Sequence, residues 1–248
     1  MAVIKKENPV EKAKRERDGL DCLDNIIAYA RQGFGSIEED DLNVRLRWYG
    51  LYTQRPAEDG YFMLRVKVPS GILSSLQLRT IGELSVQYAR GTGDITTRQG
   101  IQFHYIRIDD VPAIFARLES VGLTTSGACG DITRNITGCP LTGIDRNEFI
   151  NTAPVIERVH RYFLDNREFS NLPRKFKITI SGCPVYCTGH EINDIGLVAF
   201  NGENGVVFDL WVGGGLGAKE RFGERLGVHV TEDEIASVCH HICGIFRD

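Results

Sequence analysis

The chain has 248 residues, 33 of them acidic and 29 basic, for a formal net charge of −4. Apolar residues make up 42% and charged residues 25%, the balance of a folded, soluble chain, which excludes a disordered or collagen-like one. The negative charge argues against nucleic acid as a partner, and no apolar run approaches the roughly 20 residues that a membrane helix needs. No apolar stretch follows the charged N-terminus, so it does not read as a secretory signal, and the expected location is cytoplasmic. Seven cysteines in such a chain read as reduced, buried or metal-bound thiols, not disulfides.

Residues 1–20 are charged and read as a solvated arm. Leu20, Leu23, Ile26, Ile27 and Ala30 recur at helical spacing, which predicts a helix over 20–31 with Gly33 as its stop. Residues 43–55, rich in Arg and aromatic side chains, read as extended. Residues 61–68 alternate, with Phe62, Leu64, Val66 and Val68 on one face and Met63, Arg65 and Lys67 on the other. A turn at Pro69, Ser70 and Gly71 leads to a predicted helix over 73–89, two strand pieces over 95–108 and a helix over 111–121. Residues 123–143 are irregular and rich in Gly and Thr. A helix is predicted over 149–163, then strands over 175–181, 195–200 and 206–212, with a turn at 201–205. A glycine loop at 213–217 opens a predicted helix near 218–225, and a last helix covers 232–246. That helix ends with the chain and lacks a C-cap glycine, which reads as a truncated C-terminus. The element order is an α+β or α/β signal, and the α+β class is the one expected.

Period-2 alternation places cations on strand faces. The first strand offers Arg65 and Lys67. The second, if unbroken, offers Arg98, Gln102 and His104. The third offers Lys175, Lys177 and Thr179, with Phe176, Ile178 and Ile180 behind, and Arg134 adds a cation from the irregular segment. Such cations suit a polycarboxylate or small oxyanion held by charge-assisted hydrogen bonds. A solvated sheet face with scattered Lys and Arg is the plain alternative.

Cys183 and Cys187 form a C-x3-C pair, with Cys129 and Cys139 upstream. These four could hold an iron–sulfur cluster or zinc, or be small buried hydrophobes. Cys239 and Cys243 lie one helical turn apart, in line with Ile235 and Phe246, and read as buried. Gly213, Gly215 and Ala218 satisfy a loose dinucleotide-loop pattern, but no parallel strand with a terminal acid follows. Close packing of backbone suits these glycines better.

The segments YFMLRVKVPSG, DITTRQGIQFH, GDITRNITGCPLTGID, NLPRKFKITISG, HEINDIGLVAF and DLWVGGGLG together resemble the siroheme-containing sulfite and nitrite reductases, in that family's order over roughly residues 36–230. The resemblance is to the family's N-terminal half. It implies an arm and helix over 1–35, a ferredoxin-like half-domain over 36–125, and a mixed sheet-and-helix siroheme/4Fe-4S-type domain over 126–248.

By the same resemblance, Arg65, Arg134, Lys175 and Lys177 surround the substrate anion. Arg98, Gln102 and His104, with Arg65 and Arg134, line the siroheme. The implied reaction is the six-electron reduction of sulfite to sulfide or of nitrite to ammonia, with electrons from ferredoxin or a similar carrier through a 4Fe-4S cluster. Lys177 leans the reading to sulfite, since many nitrite-reducing members carry Asn there. The family holds its cluster in the C-terminal half, which this chain lacks and which could be a separate partner chain. Cys139, Cys183 and Cys187 sit where the related half places ligands. Thr133 stands at the remaining ligand position, and Cys129 substitutes only if the loop rearranges. The cysteines therefore read as relics or packing residues. Two other readings are a compact reductase with its own cluster on Cys129, Cys139, Cys183 and Cys187, and a non-catalytic tetrapyrrole-binding module.

Overall fold

The structure, a computed structural model, describes residues 8–203 and 205–248. Residues 1–7 of the expected arm, and Asn204 in the expected turn at 201–205, lie outside the described residues. The chain divides into two compact units. The first comprises residues up to Val66, with Ser75–Asp94 and Gln102–Gly130; the second comprises Lys67–Ser74, Ile95–Ile101 and Asp131–Asp248. A single break at 125/126 does not describe this path, because two earlier segments belong to the second unit. Backbone and amide bonds hold them there: Ser70 N donates to Ile136 O (3.0 Å) and Gln99 Nε2 to Gly138 O (2.7 Å).

In the first unit, α1 (Pro9–Glu16) forms where a solvated arm was expected. Asn8 caps it by accepting from Val10 N at 3.0 Å, Pro9 suits its first turn, and Ala13 is buried. Next come α2 (Leu23–Gln32), stopped at Gly33 with φ +86°, and α3 (Glu39–Asn43). Residues Arg45–Tyr49 form a 3-10 turn, not the extended segment expected. The cause is the fully buried Asp41. Its carboxylate accepts from Arg17, from Arg45 Nη1 (2.8 Å), from Tyr29 OH (2.7 Å) and from Asn25 Nδ2 (2.9 Å). Arg45 also donates to Ala13 O, from Nε at 3.2 Å and Nη2 at 3.0 Å, so one carboxylate ties α1, α2 and α3 together. Burial pushes this carboxyl up, but the bonds from Arg17, Arg45, Tyr29 and Asn25 outweigh it and hold it well below the usual range.

The sheet of this unit contains β1 (Leu51–Thr53), β2 (Tyr61–Val66), β3 (Asp94–Ile95) and β4 (Ile101–Arg107), in the order β1-β2-β4-β3. In β2 the alternation holds: Phe62, Leu64 and Val66 are buried, while Tyr61, Met63 and Arg65 stay partly exposed. Helices α4 (Ser75–Tyr88) and α5 (Val111–Glu119) follow, and α2 and α4 both pack on α5. Tyr105, at φ +64°, breaks the alternation of β4, so that His104 and Tyr105 are both partly exposed.

The second unit has β5 (Thr137–Gly138), β6 (Ile178–Ser181), β7 (Ile195–Gly202), β8 (Gly205–Val212) and β9 (Glu224–Val230), in that order across the sheet. β5, β6 and β7 run parallel; β7, β8 and β9 are antiparallel neighbours. Helices α6 (Ala153–Phe163) and α7 (Ile235–Arg247) close a core built on Ile156, Phe163, Phe176, Ile178, Leu197 and Phe208. Thr179 is also fully buried and donates to Thr137 O at 3.2 Å, so it shares no solvated face with Lys175 and Lys177, which precede the strand. The helix expected near 218–225 is replaced by a bridge between Gly215 and Arg221, with both backbone bonds at 2.9 Å, and by β9. The glycine loop thus lacks the helix N-terminus that a nucleotide phosphate needs.

Asp41→Asn should lower stability by about 3 kcal/mol in urea denaturation, because the change removes the buried charge that Arg45 and the part-exposed Arg17 share. Since the folded-state carboxyl is held below its unfolded value, its contribution is present at neutral pH and is lost as pH falls below about 4. The variant's acid-stability profile should be correspondingly flatter.

Candidate active site

The second unit holds a cavity of about 580 Å³ whose wall includes Arg98, Arg174, Lys175, Lys177, Asp194 and the loop Gly215–Leu216–Gly217. The backbone rules set its cations. Arg98 sits on a tight turn, closed by Thr96 N to Gly100 O (2.9 Å) and Gln99 N to Thr96 O (2.8 Å). This turn interrupts the strand that would have carried Arg98, Gln102 and His104 on one face, so Arg98 falls in the second unit and the other two in the first. Its guanidinium donates to Asn193 Oδ1 (2.7 Å), Asn135 O (2.7 Å) and Ile178 O (3.1 Å), while its buried Nε has no partner among the described residues. Burial, then the nearby charge of Arg134, lowers Arg98 to about 10.

Lys67 was expected beside Arg65 on a polar face. Instead β2 ends at Val66 and Lys67 is only 3% exposed. Its ammonium donates to Thr133 O at 3.4 Å. Burial, then the charge of Arg134, brings Lys67 down to about 7; Arg98 adds to this and Asp165 opposes it. Arg134 is itself buried, and its N–H donates to Phe176 O at 2.8 Å, which fixes it beside the segment carrying Lys175 and Lys177. The structure therefore brings Arg98, Arg134, Lys175 and Lys177 into one unit.

The sequence reading missed the residues that hold these cations. Asp194 Oδ2 accepts from Lys177 Nζ (2.6 Å) and from Lys177 N (2.8 Å). Asn135 Nδ2 donates to Val68 O and Arg98 O, both at 2.8 Å. The Gln99 amide pairs with Gly138, donating to its O (2.7 Å) and accepting from its N (2.9 Å). A signal was present: Asn193 and Asp194 are polar residues set directly before the apolar run of β7.

In the first unit, Arg65, Gln102, His104 and Cys129 form a polar line. Arg65 donates from Nε to Gln102 Oε1 (2.9 Å) and from Nη1 to Cys129 Sγ (3.6 Å). Gln102 Nε2 lies 2.9 Å from His104 Nε2, which is 3.2 Å from Asp94 Oδ2. Arg65 and Arg47 lie 5.7 and 5.2 Å from the centre of the Tyr52 ring, and Arg90 lies 3.7 Å from that of Tyr105. Guanidinium and aromatic planes together make a face suited to a flat, anionic ligand.

Cys129 is buried in the first unit. In the second, Cys139 and Cys183 are buried and Cys187 is exposed. Burial pushes the Cys139 thiol up, and Cys187 is its hydrogen-bonding neighbour. Among the described residues no three His, Cys, Asp or Glu side chains gather where they could hold a metal ion. Cys239 and Cys243 lie in the core, where burial raises both thiols.

Residues 54–121 match the family described as "Nitrite/Sulfite reductase ferredoxin-like half domain", and residues 129–248 match "Nitrite and sulphite reductase 4Fe-4S domain". The chain is 42% identical to "Sulfite reductase [ferredoxin] 1" of Mycolicibacterium paratuberculosis, covering 97% of this chain and 46% of that protein. It is 39% identical to "Assimilatory ferredoxin-dependent nitrite reductase" of Haloferax mediterranei, covering 91% of this chain and 42% of that one. The solved Mycobacterium tuberculosis NirA protein superposes with a TM-score of 0.91 at 39% identity, over 97% of this chain and 47% of that one. The chain thus spans about half the length of the relatives it matches.

Lys67→Met should stabilise the chain by on the order of 2 kcal/mol at neutral pH, since it removes a buried cation. The folded-state value of Lys67 lies below its unfolded value, so the unfolded chain binds more protons between the two. Stability of the wild type should therefore rise with pH from about 7 to about 10, and the variant should lack that rise in denaturant midpoints.

Proposed function

The chain belongs to the nitrite and sulphite reductase family, and we propose that it is the N-terminal half of a siroheme-dependent sulfite or nitrite reductase. The observation that carries the reading is the cavity of the second unit, whose wall gathers Arg98, Arg174, Lys175 and Lys177. The residues present fit an anionic macrocycle and a small oxyanion. Arg98 has a buried Nε without a partner among the described residues, and Lys67 and Arg134 place further buried cations in the same unit. Arg98 and Arg134 would hold siroheme carboxylates, while Arg134, Lys175 and Lys177 would hold the oxyanion. In the first unit, the line of Arg65, Gln102 and His104 would itself suit a flat, anionic ligand.

When bound, siroheme and its 4Fe-4S cluster supply the electrons. The chain's own groups then have three tasks. The guanidiniums orient the anion by paired hydrogen bonds. The ammonium groups of Lys175 and Lys177 offset negative charge and donate protons as oxygen leaves as water. The buried placement of Arg134, and of the Arg98 Nε, limits the screening of their field by solvent. Ferredoxin, named in the relatives, would be the donor. The second half, on the same or a separate chain, would supply most cluster ligands. Lys177 favours sulfite over nitrite. Among the described residues no helix is long and apolar enough to cross a membrane, and a cytoplasmic location goes with the reading.

The test is to purify the chain with siroheme supplied and record its absorption spectrum. The reading expects siroheme bands that move on adding sulfite. Arg98→Met should cut pigment content about tenfold, and the Lys175→Ala, Lys177→Ala double variant should keep the pigment but lose the sulfite response. Pigment and response that survive both changes would contradict it.

A further inference from the structure

We infer that Asp194 is a positioning residue that sets the net charge of the anion cavity, and with it the preference between doubly and singly charged oxyanions. The inference rests on the anion-binding reading above and deepens it. Among the described residues lining the cavity, Arg98, Arg174, Lys175 and Lys177 are cations and Asp194 is the one carboxylate. Its Oδ2 takes two bonds from a single residue, at 2.6 Å from Lys177 Nζ and 2.8 Å from Lys177 N. The two side chains are 18% and 17% exposed, so the pair is poorly screened.

The neighbouring residue does the same for Arg98. Asn193 Oδ1 accepts from Arg98 Nη1 at 2.7 Å, and Asn193 Nδ2 donates to Gly189 O at 2.8 Å. The dipeptide is held from behind by the glycine loop. Gly213 N donates to Asp194 O at 3.0 Å. A side chain at Gly214 would come within 2.2 Å of Glu191 O and 2.7 Å of Asn193 O, so glycine is required there for the backbones to meet. The loop that resembles a nucleotide motif thus serves as the backing of Asn193 and Asp194. Two amino acids at the entrance to β7 place Lys177 and Arg98. One of them brings a negative charge, which weakens the cavity's pull on any anion and does so twice as strongly for a dianion as for a monoanion.

The experiment is calorimetric titration of the chain with sodium sulfite and sodium nitrite in alkaline buffer, where sulfite is a dianion and nitrite a monoanion. Asp194→Asn removes the charge and keeps an acceptor for both Lys177 donors. It should tighten nitrite about threefold and sulfite about tenfold, because the added unit charge acts once on the first and twice on the second. Asp194→Ala should shift the sulfite-to-nitrite ratio in the same direction but bind both more weakly than the Asn variant, since Lys177 is no longer held. The ratio, read on one sample, does not depend on the folded fraction. An unchanged ratio in Asp194→Asn, or equal loss of both anions, overturns the inference. If the unchanged chain binds neither anion, or if Lys175→Ala with Lys177→Ala leaves both affinities intact, the anion-binding reading itself falls.

Discussion

Like charges buried together govern the second unit. Lys67 and Arg134 are buried, Arg98 is partly so, and the charges of Arg134 and Arg98 bear on Lys67. Lys67 and Arg98 donate to neutral acceptors. Arg98 gives its bonds to two backbone carbonyls and the Asn193 amide, and Lys67 gives one to a carbonyl. Carbonyl dipoles satisfy donors but carry only partial charge, so the desolvation of the cations is incompletely offset. An anion bound there, as proposed above, would add a full opposite charge. The winding path of the chain follows from this: residues 67–74 and 95–101 belong to the second unit because they deliver Lys67 and Arg98 to it.

The sheet makes the gathering possible. Arg134 precedes β5, Lys177 immediately precedes β6 and Asp194 immediately precedes β7, so three charged residues mark the amino ends of three adjacent parallel strands. Ligands of open α/β sheets usually lie at the carboxyl ends of the strands. Here the register, Ile178 opposite Ile195, lets Lys177 reach back along the neighbouring strand to Asp194. Residues buried on both sides of these strands leave their entrances as the place where charged groups can be presented.

Much of this was legible in the sequence, and the failures share a cause. Alternation in 61–66 gave the inner face of β2 correctly, since a strand with one buried face has a strong period-2 pattern. The same pattern misled at Lys67, because it continues past the end of the strand while the backbone turns into another unit. It misled again at Arg98, where Gln99 adopts φ +60° and a turn replaces the strand. The helix read at 218–225 gave way to β9, whose residues are largely exposed and carry little periodic signal. The cations Arg98, Arg134, Lys175 and Lys177 were singled out because charge is visible in a sequence. Their holders, Asn135, Asn193, Asp194 and Gln99, were not, since a short polar side chain looks the same in a loop as at a binding site. The expectation of two parts came from the resemblance, since composition and spacing alone would not have yielded it.

The central claim is the proposal that the cations gathered in the second unit take up a small oxyanion. Thermal denaturation of the chain in increasing sodium sulfite, with sodium chloride at matched ionic strength as the control, tests it most directly. The account predicts a midpoint that climbs with the logarithm of sulfite concentration, as for a ligand bound only by the folded state, and a climb that disappears when Arg134 is replaced by Met. Equal midpoints in sulfite and chloride would contradict it.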